Sequence, residues 1–137
     1  MEIRTQKGIF DDVKNIRIEV FVDEQKFQEE FDELDDTSTH MAFYDEGKAV
    51  ATCRFFPIDE TTYKIGRIAV VKSYRGKQLG RYVMESAEKE IKKLGGKVIK
   101  LGAQTRAQGF YEKCGYTAYG DIYKEEYCDH IMMMKNI

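Results

Sequence analysis

At 137 residues, 42% hydrophobic and 34% charged, the chain has the length and mix of one globular domain and not of a disordered segment. Its 22 Lys and Arg stand against 24 Asp and Glu, and a net charge of -2 gives no reason to expect a nucleic-acid or membrane partner. Met1 to Phe10 lack the basic-then-apolar pattern of a signal peptide and no later stretch is apolar for long enough to span a bilayer, so the cytoplasm is the expected location.

Three cysteines, Cys53, Cys114 and Cys128, have no Cys-x-x-Cys spacing, so neither a disulfide framework nor a zinc site is indicated and no metal is expected. There is one proline, Pro57, and no linker, low-complexity run or internal repeat, so residues 1–137 are expected to form a single domain.

The first clear element spans about Phe10 to Val22, where Phe10, Val13, Ile16, Val20 and Phe21 recur at helical spacing after Gly8. An acidic stretch follows: Asp23, Glu24, Glu29, Glu30, Asp32, Glu33, Asp35 and Asp36 interleave with Phe27, Phe31 and Leu34. It reads as an irregular connection or short helix, a solvated loop anchored by its apolar residues and able to attract a cationic amine.

Thr37 to Thr39 lead into a strand, Met41 to Tyr44, and the turn at Asp45-Glu46-Gly47-Lys48 makes a hairpin with Ala49 to Phe56. Tyr63 to Val71 is rich in β-branched residues and continues an antiparallel sheet. The order then becomes strand, loop, helix, strand. A helix with Leu79, Val83, Ala87, Ile91 and Leu94 on one face stops at Gly95-Gly96, and Val98 to Leu101 form the next strand. A short helix near Ala107 to Lys113, a stop at Gly115, a strand from Tyr116 and a last apolar strand, Ile131 to Met134, complete the chain. Strands on one side of a parallel crossover and a closing hairpin predict an α+β fold, a central mixed and mostly antiparallel sheet flanked by helices. The apolar final strand offers an edge for pairing in a homodimer.

The segment Ile65 to Arg81 carries the most chemistry. Its strand runs into Arg75-Gly76-Lys77-Gln78-Leu79-Gly80-Arg81 and turns directly into a helix, whose first N–H groups lack intrahelical partners and lie at the positive end of the dipole. Glycines permit close approach of the backbone to a phosphate, and Arg75, Lys77 and Arg81 add charge. The pattern reads as a pyrophosphate cradle; a basic turn with ordinary glycines is the bland alternative. Gly76-Lys77 is followed by Gln78 and not by Ser or Thr, so this is no P-loop, and the glycine spacing does not fit a dinucleotide fingerprint.

Downstream stands Ala103-Gln104-Thr105-Arg106-Ala107-Gln108-Gly109-Phe110-Tyr111-Glu112-Lys113-Cys114-Gly115-Tyr116. With Ile68-Ala69-Val70 and the loop from Arg75 to Gly80, it resembles the GNAT N-acetyltransferase superfamily. That family has a strand, an Arg/Gln-x-x-Gly-x-Gly/Ala loop and helix, then a strand and an Asn-x-x-Ala-x-x-x-Tyr-x-x-x-Gly-Phe segment. Arg17, Val20-Phe21-Val22, Glu24-Gln25, Glu30-Phe31-Asp32, Asp35, His40, Gly66-Arg67 and His130 resemble its small bacterial ElaA-like branch, so the likeness covers nearly the whole chain. Gln78 stands where the family loop has its first glycine, Gln104 replaces the usual Asn, and Tyr116 replaces Phe.

The resemblance implies a splayed sheet with the pantetheine arm of acetyl-CoA in the gap, paired to exposed backbone near Ile68, Ala69 and Val70. It implies phosphate binding by Arg75, Gly76, Lys77, Gln78, Leu79, Gly80 and Arg81, with Gln104, Ala107 and Tyr111 along the same cofactor path. The N–H of Val70 is the oxyanion donor and Tyr111 the acid beside the sulfur. Direct attack by an amine in a ternary complex needs no covalent intermediate on the protein, although Cys128 invites a thiol-acyl route that would require an acyl-protein. His130, just before the last strand, is the candidate base, with Glu126, Glu30 or a water as alternatives; His40 reads as a structural hydrogen-bonder. The expected function is an N-acetyltransferase acting on a small-molecule or peptide amine, with a non-catalytic acyl-CoA sensor or scaffold as the other reading.

Overall fold

The computed structural model describes residues 1–28 and 30–137; Glu29 of the acidic run lies outside the described residues. Seven strands form one open sheet in the order β1-β2-β3-β4-β5-β7-β6. The chain runs through β1 (Glu2–Lys7), α1 (Asp11–Arg17), α2 (Leu34–Thr37), β2 (Thr39–Asp45), β3 (Lys48–Pro57) and β4 (Thr62–Val70). It continues through α3 (Leu79–Lys93), β5 (Val98–Gln104), α4 (Gln108–Lys113), β6 (Thr117–Glu125) and β7 (Cys128–Asn136). All pairings are antiparallel except β4 with β5, which α3 connects. The α+β fold with a mixed, mostly antiparallel sheet is the one the sequence predicts. No described helix is long and apolar enough to cross a membrane.

The expected first helix is shorter as an α-helix and longer overall. α1 ends at Arg17 and passes into a π-helical stretch, Ile18–Glu24, closed by bonds such as Gln25 N–H to Val20 O at 3.1 Å. Val13, Ile16, Val20 and Phe21 are buried as their spacing requires. α3 presents Leu79, Val83, Met84, Ala87 and Ile91 to the core; Leu94, expected on that face, is 58% exposed because it lies beyond the last helical residue. Gly95 takes φ +95°, with Gly96 N–H bonded to Ile91 O (2.9 Å) and Gly95 N–H to Lys92 O (3.1 Å), a double closure that needs glycine's left-handed freedom.

Two placements differ from the expectation. β7 lies between β5 and β6, hydrogen-bonded on both sides, so the final strand has no free edge for a dimer partner; the free edges belong to β1 and β6. β1 itself was not legible, since Glu-Ile-Arg-Thr-Gln-Lys is almost entirely polar and exposed, as an edge strand can be.

The acidic run is a solvated loop only in part: Asp23, Glu24, Glu33 and Asp36 are exposed and Phe27 packs on the core against Phe21, as expected, but its other anchors are different ones. Phe31 and Leu34 are 42% and 39% exposed, whereas Glu30 and Asp35 are buried. Arg17, fully buried, bonds Glu30 Oε2 at 2.5 Å through Nε and Asp35 Oδ1 at 2.6 Å through Nη1. Arg54 bonds Asp32 (2.6 and 3.0 Å) and Asp35 (2.8 Å), and Arg67 reaches Glu30 (3.2 Å) and Asp32 (3.3 Å). Three arginines thus neutralise three carboxylates. Burial alone would raise the Asp35 carboxyl, but hydrogen bonds from Arg17, the Asp32 N–H and Arg54 outweigh it and hold it at about 2.

Candidate functional site

β4 and β5 pair only through Thr62↔Val98, Tyr63↔Ile99 and Lys64↔Lys100; from there β4 continues to Val70 and β5 to Gln104 without bonding each other. The strands part, as the expected splayed sheet requires. A cavity of about 950 Å³ opens along the gap, lined among others by Ile68, Ala69, Val70, Arg75, Gln104, Ala107, Tyr111 and His130.

A bulge shapes the β4 wall. Thr52 pairs with Ala69 but Arg54 with Gly66, so β4 carries one extra residue there, and Arg67 sits at φ +51°. A left-handed non-glycine costs on the order of 1–2 kcal/mol, which the ion pairs of Arg67 with Glu30 and Asp32 help to offset. Beyond the bulge, Val71 N–H bonds Val50 O on β3 (3.0 Å). Alternation along the strand therefore turns the N–H and C=O of Val70 away from β3, toward the gap. The carbonyl of Val70 accepts a bond from Arg75 Nε at 2.9 Å, in keeping with that orientation.

Arg75, which lines the cavity, is followed in the chain by the turn into α3. Gly76 has φ +77°, and Gln78, standing in place of a glycine, adopts φ +65° and ψ +12°. Gln78 thus supplies the left-handed turn that the loop requires. No side chain caps α3 and no acid lies in its first turn, so its leading N–H groups remain open to an anion. Leu79 is buried and Gly80 packs against Phe110, where a Cβ would come within 3.1 Å of the ring.

The three cations expected to face a phosphate are otherwise engaged. Arg75 forms a bidentate pair with Glu24 (2.5 and 2.7 Å), which holds the Glu24 carboxyl below its ordinary range. Arg81 pairs with Glu85 (3.1 Å), and Lys77 lies over the Tyr74 ring (5.1 Å).

Tyr111 is 9% exposed, edge-on to Phe110 (5.0 Å) and Tyr116 (6.2 Å). Burial pushes its phenol above the ordinary tyrosine range, so it stays protonated at any working pH. Gln104, at the end of β5, donates to Gln25 Oε1 (3.0 Å) and accepts from Arg106 (2.7 Å), tying β5 to the loop after the π-helical stretch.

His130 is the third residue of β7, inside the strand and not before it, opposite Gln104 on β5 and Tyr123 on β6. Its Nδ1 lies 3.1 Å from the Cys128 carbonyl oxygen. Nε2 lies 3.4 Å from Glu125 Oε2, and both residues line the cavity. Among the alternatives for a base, Glu30 is bound to Arg17 and Arg67, whereas Glu126 lines the cavity from the β6–β7 turn. His40 is fully buried, 2.9 Å from the Asp35 carbonyl. Cys128 lies outside the large cavity, in a neighbouring shallow groove with Thr105 and Lys124. Among the described residues no group of three His, Cys, Asp or Glu side chains is placed to hold a metal.

Sequence reasoning attached no role to Arg54, Arg67, Lys64 or Gln25, although all four line the cavity. A usable signal existed: Arg17 and Arg54 each interrupt an apolar run, and a charge at a core position needs a partner.

Residues 9–116 match the model of the acetyltransferase (GNAT) family. The chain belongs to that family. It is 37% identical over 127 residues to the uncharacterized N-acetyltransferase YjcF of Bacillus subtilis, covering 88% of each chain. Its fold is similar to the crystal structure of Escherichia coli ElaA, at TM-score 0.87 and 25% identity over 98% of both chains. It is also similar to an acyl-CoA N-acyltransferase from Pseudomonas aeruginosa, at TM-score 0.85 and 26% identity over 98% of both chains. Acyl transfer is the general chemistry that goes with this membership.

Proposed function

We propose that the chain is a single-domain N-acetyltransferase that takes the acetyl group of acetyl-CoA and gives it to a primary amine by direct attack in a ternary complex. The observation that carries this reading is the parting of β4 from β5 over a cavity lined by Val70, Arg75 and the buried Tyr111, with the uncapped start of α3 following Arg75 in the chain. Acetyl-CoA supplies the activated thioester.

The loop from Arg75 to Arg81 holds the diphosphate through its N–H groups, and the exposed edge of Ile68 to Val70 pairs with the amide-bearing pantetheine arm. Gln104 and Ala107 border the same cavity. Val70 N–H faces the oxygen that gains negative charge as the amine attacks. Tyr111 donates its proton toward the departing sulfur, and His130 Nε2 accepts the proton that the amine loses. Cys128 takes no part: it lines the neighbouring groove beyond Gln104 and Arg106 and not the cavity itself.

Calorimetry checks the cofactor site. Coenzyme A affinity is expected to fall with rising salt, and Arg75→Ala to weaken it by roughly 3–10-fold through loss of its bond to Val70 and of local charge. Affinity indifferent to both changes would remove the loop from the site. Release of free thiol that depends on an added amine separates an enzyme from a sensor that merely holds acyl-CoA.

His130→Gln tests the base. The wild-type rate is expected to rise with pH along an acid limb; the variant loses that limb and slows by roughly 10²-fold. An unchanged profile returns the role to Glu126 or a water.

A further inference from the structure

The acidic run reads in sequence as a solvated loop able to attract a cationic amine. In the structure its buried wall is already neutral, because Arg17, Arg54 and Arg67 occupy the oxygens of Glu30, Asp32 and Asp35. A polyamine or amino sugar would find no unpaired carboxylate among these three. The charge left over on the β3–β4 wall has the opposite sign.

Lys64 lines the cavity, half-buried, at the last rung before β4 and β5 separate. Phe56 is its partner on β3 and Lys100 its partner on β5. Alternation puts it on the same face of the sheet as Gly66 and, through their pairing, as Arg54. Two lysines side by side repel. Lys100 has the Tyr119 ring at 5.7 Å, whereas Lys64 has no hydrogen bond, ion pair or ring contact among the described residues. An amine half-withdrawn from water with a like charge beside it is a receptor for an anion.

At the other end of the same face stand His130 and, 3.4 Å from its Nε2, the Glu125 carboxylate. Along β5 the register places His130 opposite Gln104, four residues beyond the Lys100 rung. Four rungs span about 13 Å, less the reach of the two side chains.

We propose that the acceptor is an amine that also carries a carboxylate several bonds from the reacting nitrogen, and that Lys64 binds the carboxylate. This rests on the reading above, in which the amine is deprotonated at His130. The recognition is polar at both ends: His130 and Glu125 receive the ammonium side, and Lys64 receives the anion. Phe56, between Arg54 and the strand end, supplies apolar surface for the connecting methylenes.

The experiment compares ω-amino carboxylic acids of increasing chain length with their neutral carboxamides and with spermidine. Binding is measured by calorimetry on the full chain saturated with coenzyme A, and turnover is measured with acetyl-CoA. The best acid is expected to bind about tenfold more tightly than its carboxamide. Lys64→Met erases that preference, raising KM about tenfold with kcat within about twofold, and leaves coenzyme A affinity unchanged. Lys64→Gln replaces it should the methionine variant lose coenzyme affinity through misfolding. Equal binding of acid and amide, tighter binding of spermidine, no binding by any member, or a preference that survives both substitutions would overturn the proposal. A wild-type chain that fails to bind coenzyme A would instead overturn the transferase reading. Acid preference without turnover would leave Lys64 an anion site and remove the enzyme.

Discussion

Arg17→Met is expected to lower Tm by roughly 10–15 °C, the consequence of a loss of about 3–5 kcal/mol when one partner of a buried ion pair is removed. Arg17 has no exposed surface, and its guanidinium bonds the Glu30 and Asp35 carboxylates and the Glu30 carbonyl (3.0 Å). Methionine fills most of the volume but leaves Glu30 and Asp35 buried with less compensation. The penalty is therefore the desolvation of the carboxylates left behind more than the pair's own attraction. That reasoning has its own check. Glu30→Leu added to Arg17→Met should recover part of the lost Tm, because it removes an orphaned buried charge, whereas two independent losses would add. A Tm within about 2 °C of wild type in the single variant would make the lattice dispensable.

The same lattice sets the acid limit. Asp35 is held at about 2 against an ordinary 3.8. A lowered carboxyl stabilises the fold fully above its unfolded value and loses that contribution as pH falls through its folded value. Stability should accordingly drop as pH falls from about 4 to about 2, and in Arg17→Met, which removes part of what lowers the Asp35 carboxyl, that drop should be smaller. Circular dichroism across that range reads both transitions.

Tyr111→Phe is expected to lower kcat by roughly 10²–10³-fold while coenzyme A affinity stays within about twofold. The ring is packed edge-on against Phe110 and Tyr116, and phenylalanine keeps both contacts, so stability should hardly change. Only the proton donor is lost. Because burial keeps the phenol protonated, the hydroxyl remains a hydrogen-bond donor toward the proposed leaving sulfur and is unsuited to act as a base. Full activity in the variant would exclude that role, and a large fall in coenzyme affinity would assign Tyr111 to packing alone.

The sequence by itself determined whatever acts over a few residues. The strand–loop–helix order from β4 through α3 to β5, the double closure at Gly95 and Gly96 and the hairpin at Glu46-Gly47 all follow from local periodicity and turn chemistry, whereas the gap beside Ile68 to Val70 was implied by the family resemblance. The open N–H groups at the start of α3 are local as well, since they exist at any helix start that lacks a cap. The tertiary structure alone decided which charges meet. Arg17 and Asp35 are 18 residues apart, Arg54 and Asp32 are 22, and Arg75 and Glu24 are 51. No periodicity selects one carboxylate among many at such separations, so an acidic run that is neutralised reads in sequence like one that is free. The insertion of β7 between β5 and β6 belongs to the same class, because an apolar strand reports that it is buried and not which neighbours bury it. Lys64 and His130 came to share one face of a cavity only when the sheet was assembled and its two central strands had parted.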